Sequence, residues 1–460
     1  MQASEDVATV SPRSGAPRNL LSGWASAAGT VLCALVAMVA VAALGLWLAQ
    51  ATALPAGAFL PVVAATVLMA LGAPVALNGN AGFLAQAHAG IAALPLSVSL
   101  VGALVAAVCF LRPLRLRAVA TTGELLGRAA RVAVLWVVLV GLLTGLARHS
   151  FTVSTGNGVT DGIGGVLGVT PTVGFRVGLP AAVGLGLLWL LVVLALAFAV
   201  SRAAPLPTGL LRFQAAVRPT ASAVLLVLLV YVALGVVAGI VTAVVRGQAR
   251  DTFAVVALAL PNLVWLAFGI GLGGSWQGHV NASIGLPMPK ALSSVLQTAG
   301  TRDVTLDLGA LSHEDGRVWL LPVLAGVLLL VGAVLMVARA PRRVGLWHHA
   351  LRLGIALAVT MLLVGLLTRV SAGYGLGLLG VGGSGGAGGG LDGLGDLLGG
   401  SGGGSGGSGG QGAVAGAVFL HADLLRGVLL GALWGAVAGL LGGLLGDRFR
   451  HGARRAAREA

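Results

Sequence analysis

The sequence predicts an all-α fold, a polytopic helical membrane protein of ten hydrophobic segments in a 5+5 internal duplication. Three observations predict it. Only 9% of the residues are charged against 57% hydrophobic, and mean hydropathy is +0.99. A soluble domain carries about 25% charged residues. So few charges cannot wet the surface of a 460-residue globule, and lipid must be the solvent for most side chains. Second, apolar runs alternate with short arginine-bearing loops. Third, Val140-Gly141-Leu142-Leu143-Thr144 returns as Val364-Gly365-Leu366-Leu367-Thr368. Each copy ends an apolar segment that follows an arginine-rich loop, and each precedes a glycine-rich stretch.

The polar N-terminal arm, 1–26, carries Arg13 and Arg18. Segment 27–49 is too long for a signal-peptide core, so an uncleaved first helix is expected despite the cleavage-like Ala49-Gln50-Ala51. Segment 57–77 contains Pro61 and Pro74; segment 94–111 has Pro95 at its start, where a missing N–H does no harm. Segment 132–147 lies between Arg131 and Arg148, and 180–200 completes a first repeat, 27–219. The second repeat, 220–446, runs through 220–245, 252–272, 318–337, 353–368 and 427–446, with Pro261-Asn262 inside its second segment. Ala25-Ser26-Ala27 opens one repeat and Ala221-Ser222-Ala223 the other. The connector 150–174 and the long polar loop 273–317 are read as loops. The glycine-serine tract 373–412 has few side chains to build a core and is expected to be a flexible loop. A basic tail, 447–460, ends the chain.

Charge placement constrains the crossings. The chain has 28 Lys+Arg against 14 Asp+Glu, a net charge of +14. The arginines sit in loops beside apolar segments, which points to topology and not to nucleic acid. Were all ten segments to cross, the basic stretches 112–131, 202–218, 339–352 and the tail could not share one side. If segments 57–77 and 252–272 enter and leave on one face, about eight full spans remain. Every basic stretch and both termini are then cytoplasmic. The proline-broken segments, with Pro61, Pro74, Pro261 and Asn262 as the helix-break candidates, are therefore read as re-entrant, a kinked full span being the alternative. The chain is placed in the plasma membrane as a multi-pass protein.

None of the ten segments contains Asp, Glu, Lys, Arg or His. Ionisable residues in a bilayer mark proton relays, ion sites and voltage sensors, so these functions are argued against. No Walker A, HExxH or CxxC pattern occurs. Gly382-Gly383-Ser384-Gly385-Gly386 matches GxSxG, a trivial match in a glycine-serine tract without a strand-turn-helix context. Cys33 and Cys109 lie within apolar segments and read as small hydrophobes. No catalytic, cofactor or metal residue is assigned.

Gly427, Gly431, Gly435, Gly439 and Gly443 recur every fourth residue, which lays a side-chain-free strip along one helix face for close packing, within the chain by default or against a second chain. The outer-face polar cluster His313, Glu314, Asp315 and Arg317, with His279, Asp303 and Asp307, could pair an acid with a base but reads first as a solvated loop. Asn262 is expected to bond carbonyls that Pro261 frees; contact with a solute at a helix break is the alternative. His348-His349, and His421 with Asp423 and Arg426, are read as interfacial, and Trp265, Trp276, Trp319 and Trp347 as belt anchors.

The stretches Pro95-Leu96-Ser97-Val98-Ser99-Leu100-Val101-Gly102-Ala103-Leu104, Pro261-Asn262-Leu263-Val264-Trp265 and Asp315-Gly316-Arg317-Val318-Trp319-Leu320-Leu321 resemble the streptophobe family of very hydrophobic actinobacterial membrane proteins, over most of the chain. That family also has a glycine-rich tract and has no established activity. The resemblance implies location and architecture and transfers no site residue.

Three functions follow as expectations. The first is a non-catalytic integral membrane protein that acts through helix packing or a partner, the bilayer itself and a homo-oligomer or membrane partner being its contacts. The second is an uncoupled permease or channel-like protein for a neutral or apolar solute, from duplication with proline-broken segments. The third is a membrane enzyme with an outer-face site near Glu314.

Overall fold

The computed structural model describes residues 16–53, 57–80, 85–112, 122–152, 172–201, 208–280, 304–340, 345–378 and 414–459. Most of the glycine-serine tract, the middle of the long polar loop, much of the connector after Thr152, the first residues of the N-terminal arm and the GxSxG match lie outside the described residues.

Each of the ten apolar segments contains a helix: α1 Ala16–Leu48, α2 Phe59–Ala70, α3 Leu96–Leu111, α4 Thr122–Leu146, α5 Leu179–Val200, α6 Thr208–Arg246, α7 Ala249–Gly271, α8 Leu320–Arg339, α9 Leu346–Leu367 and α10 Leu424–Glu459. Among the described residues, eight helices, all but α2 and α3, are long and apolar enough to cross a membrane. They turn large apolar side chains outward: Val36 on α1, Leu142 on α4, Leu188 on α5, Val244 on α6, Val327 on α8, Ile355 on α9 and Leu433 on α10 are all exposed. So much outward apolar surface fits lipid and not water, and the chain is an integral membrane protein with several spans.

One of the two short helices, α2, lies in a segment read as re-entrant, 57–77; the other, α3, does not. Segment 252–272 is not broken at Pro261: α7 runs unbroken from Ala249 to Gly271. A proline removes one helical hydrogen bond and kinks the helix, yet it is tolerated where neighbouring helices offer partners. Here Pro261 is buried among neighbouring helices; one turn earlier, Ser97 Oγ of α3 donates to the Val256 carbonyl at 2.8 Å. Pro61 lies in the first turn of α2, where its missing N–H breaks nothing. Only Pro74 follows a real helix end. There Gly72 has φ of 99° and its N–H donates to Met69 O, while the Ala73 N–H donates to Leu68 O. The end of α7 repeats that geometry, with Gly273 at φ 89°, Gly273 N–H to Ile270 O and Gly274 N–H to Gly269 O. Both positions need glycine, because side chains disfavour left-handed backbone.

The fold is also not all-α. An antiparallel sheet of eight strands, in the order β3-β4-β1-β2-β7-β8-β5-β6, is built from what read as loops. Its strands are β1 Val75–Asn80, β2 Ala85–Ala93, β3 Arg148–Thr152, β4 Thr172–Val177, β5 Trp276–Val280, β6 Val304–Leu306, β7 Val370–Leu378 and β8 Val414–Ala422. The glycine-serine tract therefore begins within a strand, since β7 reaches Leu378. Residues alternate between the two faces of a strand. Val75, Phe175, Val177, Trp276 and Leu306 are buried, whereas Arg148, Arg176, Gln277, Thr305 and Ser371 are exposed. Register keeps the classes apart: Arg148 lies opposite Arg176, Gln277 opposite both Thr305 and His421, and Trp276 opposite Leu306 and Ala422.

Every strand pair joins two helix ends, so the C-terminal ends of α2, α4, α7 and α9 and the N-terminal ends of α3, α5, α8 and α10 meet the sheet. The other ends of α3, α4, α5, α8, α9 and α10 gather opposite. The start of α1 joins them, with Gly23 against Arg131, and so does the start of α6, with Thr220 Oγ1 donating to Met336 Sδ at 3.3 Å. Arg112, Arg131, Arg218, Arg339 and Arg352 are thus at one end of the bundle. α2 and α7 run to the sheet, at the end of the bundle away from these arginines, and α3 and α8 leave from it.

On α10, the glycine strip lies against α9. A Cβ on Gly435 would stand 2.6 Å from Leu353 O, and one on Gly439 2.7 Å from His349 O; Gly431 and Gly443 face Met361 and Leu346 in the same way. Gly427 has nothing within 4 Å. Gly442 and Gly446 face Ala333 and Val337 of α8. Gly435→Val should lower stability by about 3 kcal/mol, because its methyls meet backbone that cannot yield. Gly427→Ala should be neutral, or stabilising by up to about 1 kcal/mol from helix propensity. Thermal unfolding in detergent would measure both. Equal midpoints for the Gly435 variant and the parent would disprove the close approach.

Candidate functional site

Helices α1 and α3 from the first run of elements meet α6 and α7 from the second around a cleft of about 530 Å³. Clefts of this size hold small molecules or chains. Val41, Leu44 and Leu48 of α1, Leu100 and Val101 of α3, and Val232 and Val236 of α6 line it. From α7 come Phe253, Val256, Ala257, Leu260 and Pro261. Their spacing of three and four residues makes one helical stripe. Ser97 is the single polar side chain in the lining, and its hydroxyl is already donated to Val256 O.

Small residues set the width. A Cβ on Gly239 would lie 2.9 Å from Val256, one on Gly45 2.6 Å from Leu258, and one on Gly102 2.6 Å from Met38 Sδ. Gly235 sits directly against Val264. The helices beside the cleft therefore pack backbone-close, and the cleft is the space left where their side chains diverge.

Asn262 fixes α3 against α7. Its Nδ2 donates to Leu94 O at 2.8 Å, and its Oδ1 accepts from the Leu96 N–H at 3.1 Å. The first N–H groups of a helix lack intrahelical partners, and Pro95 between these two residues has none to offer. Asn262 thus serves the start of α3 and not carbonyls freed by Pro261, as the sequence suggested. Below, Trp189 Nε1–H donates to Ser99 Oγ at 2.8 Å and Trp136 Nε1–H to Gly186 O at 3.0 Å, with the two indoles stacked at 5.3 Å. The Tyr231 hydroxyl is buried beside Phe268 with no hydrogen-bond partner.

Of the polar cluster read around Glu314, Asp303 lies outside the described residues, and Asp307, His313, Asp315 and Arg317 are placed on short turns. His313 and Glu314 end a two-turn helix, Leu308–Glu314, capped by Asp307, which accepts from the Ala310 N–H at 2.8 Å. Asp315 caps the next turn, accepting from the Arg317 N–H at 2.9 Å; His313, Asp315 and Arg317 are exposed. The belt assignment of tryptophans divides. Trp319 and Trp347 are exposed, but Trp265 and Trp276 are buried, donating to Leu228 O and Thr368 Oγ1. His349 is buried and His348 exposed. His421 Nε2 lies 3.1 Å from Gln277 Oε1 across the sheet, and the Asp423 side chain accepts from the Arg426 N–H. Among the described residues, no three His, Cys, Asp or Glu side chains come together as a metal site would need.

The arrangement can therefore hold an apolar group by shape, and it presents no acid, base or nucleophile to one. The cleft was missed in the sequence because its walls are far apart in the chain; the stripe on α7 was the one local signal. Comparison of the chain with family models, curated proteins and solved structures returns no match.

Asn262→Ala leaves a buried N–H and a buried carbonyl and should cost about 2–4 kcal/mol. Tyr231→Phe removes an unsatisfied hydroxyl and should be neutral or stabilising. The unfolding midpoint should therefore fall below the parent for Asn262→Ala and at or above it for Tyr231→Phe, and the reverse order would refute the bonding described.

Proposed function

We propose that this chain is a non-catalytic protein of the cell membrane that holds an apolar molecule, without any coupling ion, in the cleft between two tandem five-helix copies. The observation that carries the reading is the cleft lining: thirteen residues from four helices, twelve of them apolar and the thirteenth already hydrogen-bonded. The lack of ionisable residues in the ten segments supports the absence of ion coupling.

Tandem duplication of 27–219 and 220–446 is supported by order. Helix, helix, two strands, helix, helix, two strands, helix occurs twice. Within the sheet, β3-β4-β1-β2 and β7-β8-β5-β6 repeat one pattern. Both pentapeptides close a helix in the same way, Thr144 Oγ1 donating to Val140 O at 2.8 Å and Thr368 Oγ1 to Val364 O at 2.7 Å. Both copies face the same way, with termini and arginine-bearing ends cytoplasmic by the positive-inside rule. Architecture and location of this kind accord with the streptophobe resemblance. The α10 strip, being occupied by α9, leaves other lipid-facing helix surfaces for any oligomer.

A cysteine at Val236, in a chain whose Cys33 and Cys109 are replaced by alanine, should react with a lipid-soluble maleimide. It should react at least tenfold more slowly with a charged one added from either side, since a charged reagent partitions poorly into an apolar site. Equal reactivity with the charged reagent would mean a water-filled path and end the proposal. A cysteine at Arg343 should be labelled by an impermeant reagent only from the cytoplasmic side of the membrane; labelling from outside would invert the topology.

A further inference from the structure

We infer that the cleft takes an acyl chain of an anionic phospholipid from the leaflet opposite the arginine-bearing ends, with the phosphate held by Arg250 on Trp47. The inference rests on the cleft reading above and adds the ligand class and its polar anchor.

The stripe that lines the cleft continues to a cation. Phe253, Val256, Ala257 and Leu260 share one face of α7, and Arg250 lies one turn before Phe253 on that face. On the facing helix, Trp47 adjoins the lining residue Leu48, and the Arg250 guanidinium lies 5.5 Å from the centre of the Trp47 ring. A guanidinium over an indole is held by cation–π attraction, and its in-plane N–H donors remain suited to two phosphate oxygens. Trp47 is half exposed, the place and residue type of a headgroup-level anchor. Arg246 stands at the end of α6, joined to α7 by Gly247 at φ 66°. Asp251 is the acidic group here; it sits in the first turn of α7, where the helix dipole favours a carboxylate, one residue round from the lining face. An apolar cleft with Arg250 beyond the end of its stripe matches one acyl chain of a lipid whose headgroup phosphate meets that cation. A neutral hydrocarbon would leave Arg250 without a role, and a soluble anion would leave the cleft empty.

The full-length protein in detergent, given equal amounts of phosphatidylglycerol and phosphatidylcholine with the same chains, is the test, read by native mass spectrometry. The parent should retain phosphatidylglycerol about fivefold better, the worth of one arginine near an anionic headgroup. Arg250→Gln should bring the two lipids to parity. Val236→Trp, an exposed position that tolerates bulk but fills the cleft, should lose both. If Arg250→Gln keeps the preference, the phosphate contact is refuted while the cleft stands. If Val236→Trp retains lipid like the parent, the cleft is not the binding place and both readings fall. With oleate added as a third competitor in equal amount, its retention in preference to either phospholipid would refute the phospholipid while leaving an apolar occupant.

Discussion

A peptide group buried among hydrocarbon must find a partner, because one left unpaired costs several kcal/mol. The helices meet that demand internally, and what remains is the backbone between them. Here the connectors at one end of the bundle meet it together, as one continuous sheet. Its central seam, β2 against β7 from Ala85 opposite Leu378 to Ala93 opposite Val370, joins the first run of elements to the second. The same demand explains Asn262. Where α3 begins at a proline next to that sheet, a side chain from the other run supplies both missing partners, one donor and one acceptor. The two runs are thus joined by backbone bonds in the sheet and by the Asn262 amide and the Ser97 hydroxyl beside it.

The cleft follows from that joint. With α3 fixed to α7 by Asn262 and Ser97, and α6 drawn against α7 at Gly235 and Gly239, the lining helices have little freedom to collapse inward. Close packing elsewhere makes the void a property of shape and not of looseness. A glycine next to the seam shows how tight that packing is: Gly269 lies directly under the Trp276 indole, whose N–H is bonded to Thr368, the last residue of the second pentapeptide.

The helices were legible in the sequence because each rests on a long apolar run, a signal that survives any error about neighbours. The strands were not. Trp276-Gln277-Gly278-His279-Val280 does alternate and Val75-Ala76-Leu77-Asn78-Gly79-Asn80 does not, and both are short and carry a glycine, which weakens a strand in isolation. Only pairing across long separations makes them strands, and a linear reading sees none of it. Pro261 misled for a related reason. A proline reads locally as a break, whereas α7 runs on through Pro261, buried among neighbouring helices that are distant in sequence. Asn262 was rightly singled out beside it, with its partner misplaced, because Leu94 and Leu96 lie in the other run.

Energetics limits what an apolar cleft can select. In water, apolar burial is worth about 25 cal/mol per Å². In a bilayer that term vanishes between cleft and lipid, since lipid chains are as apolar as leucine. A cleft lined by valine, leucine and phenylalanine therefore gains nothing by hydrophobicity over the membrane around it. Discrimination can come only from dispersion at close fit and from polar contacts at the rim. The lining offers shape, and its one hydroxyl is already engaged. Chemical selectivity for a molecule held in this cleft would then sit where the apolar stripe ends, and on α7 the residue one turn before the stripe is Arg250, beside Trp47.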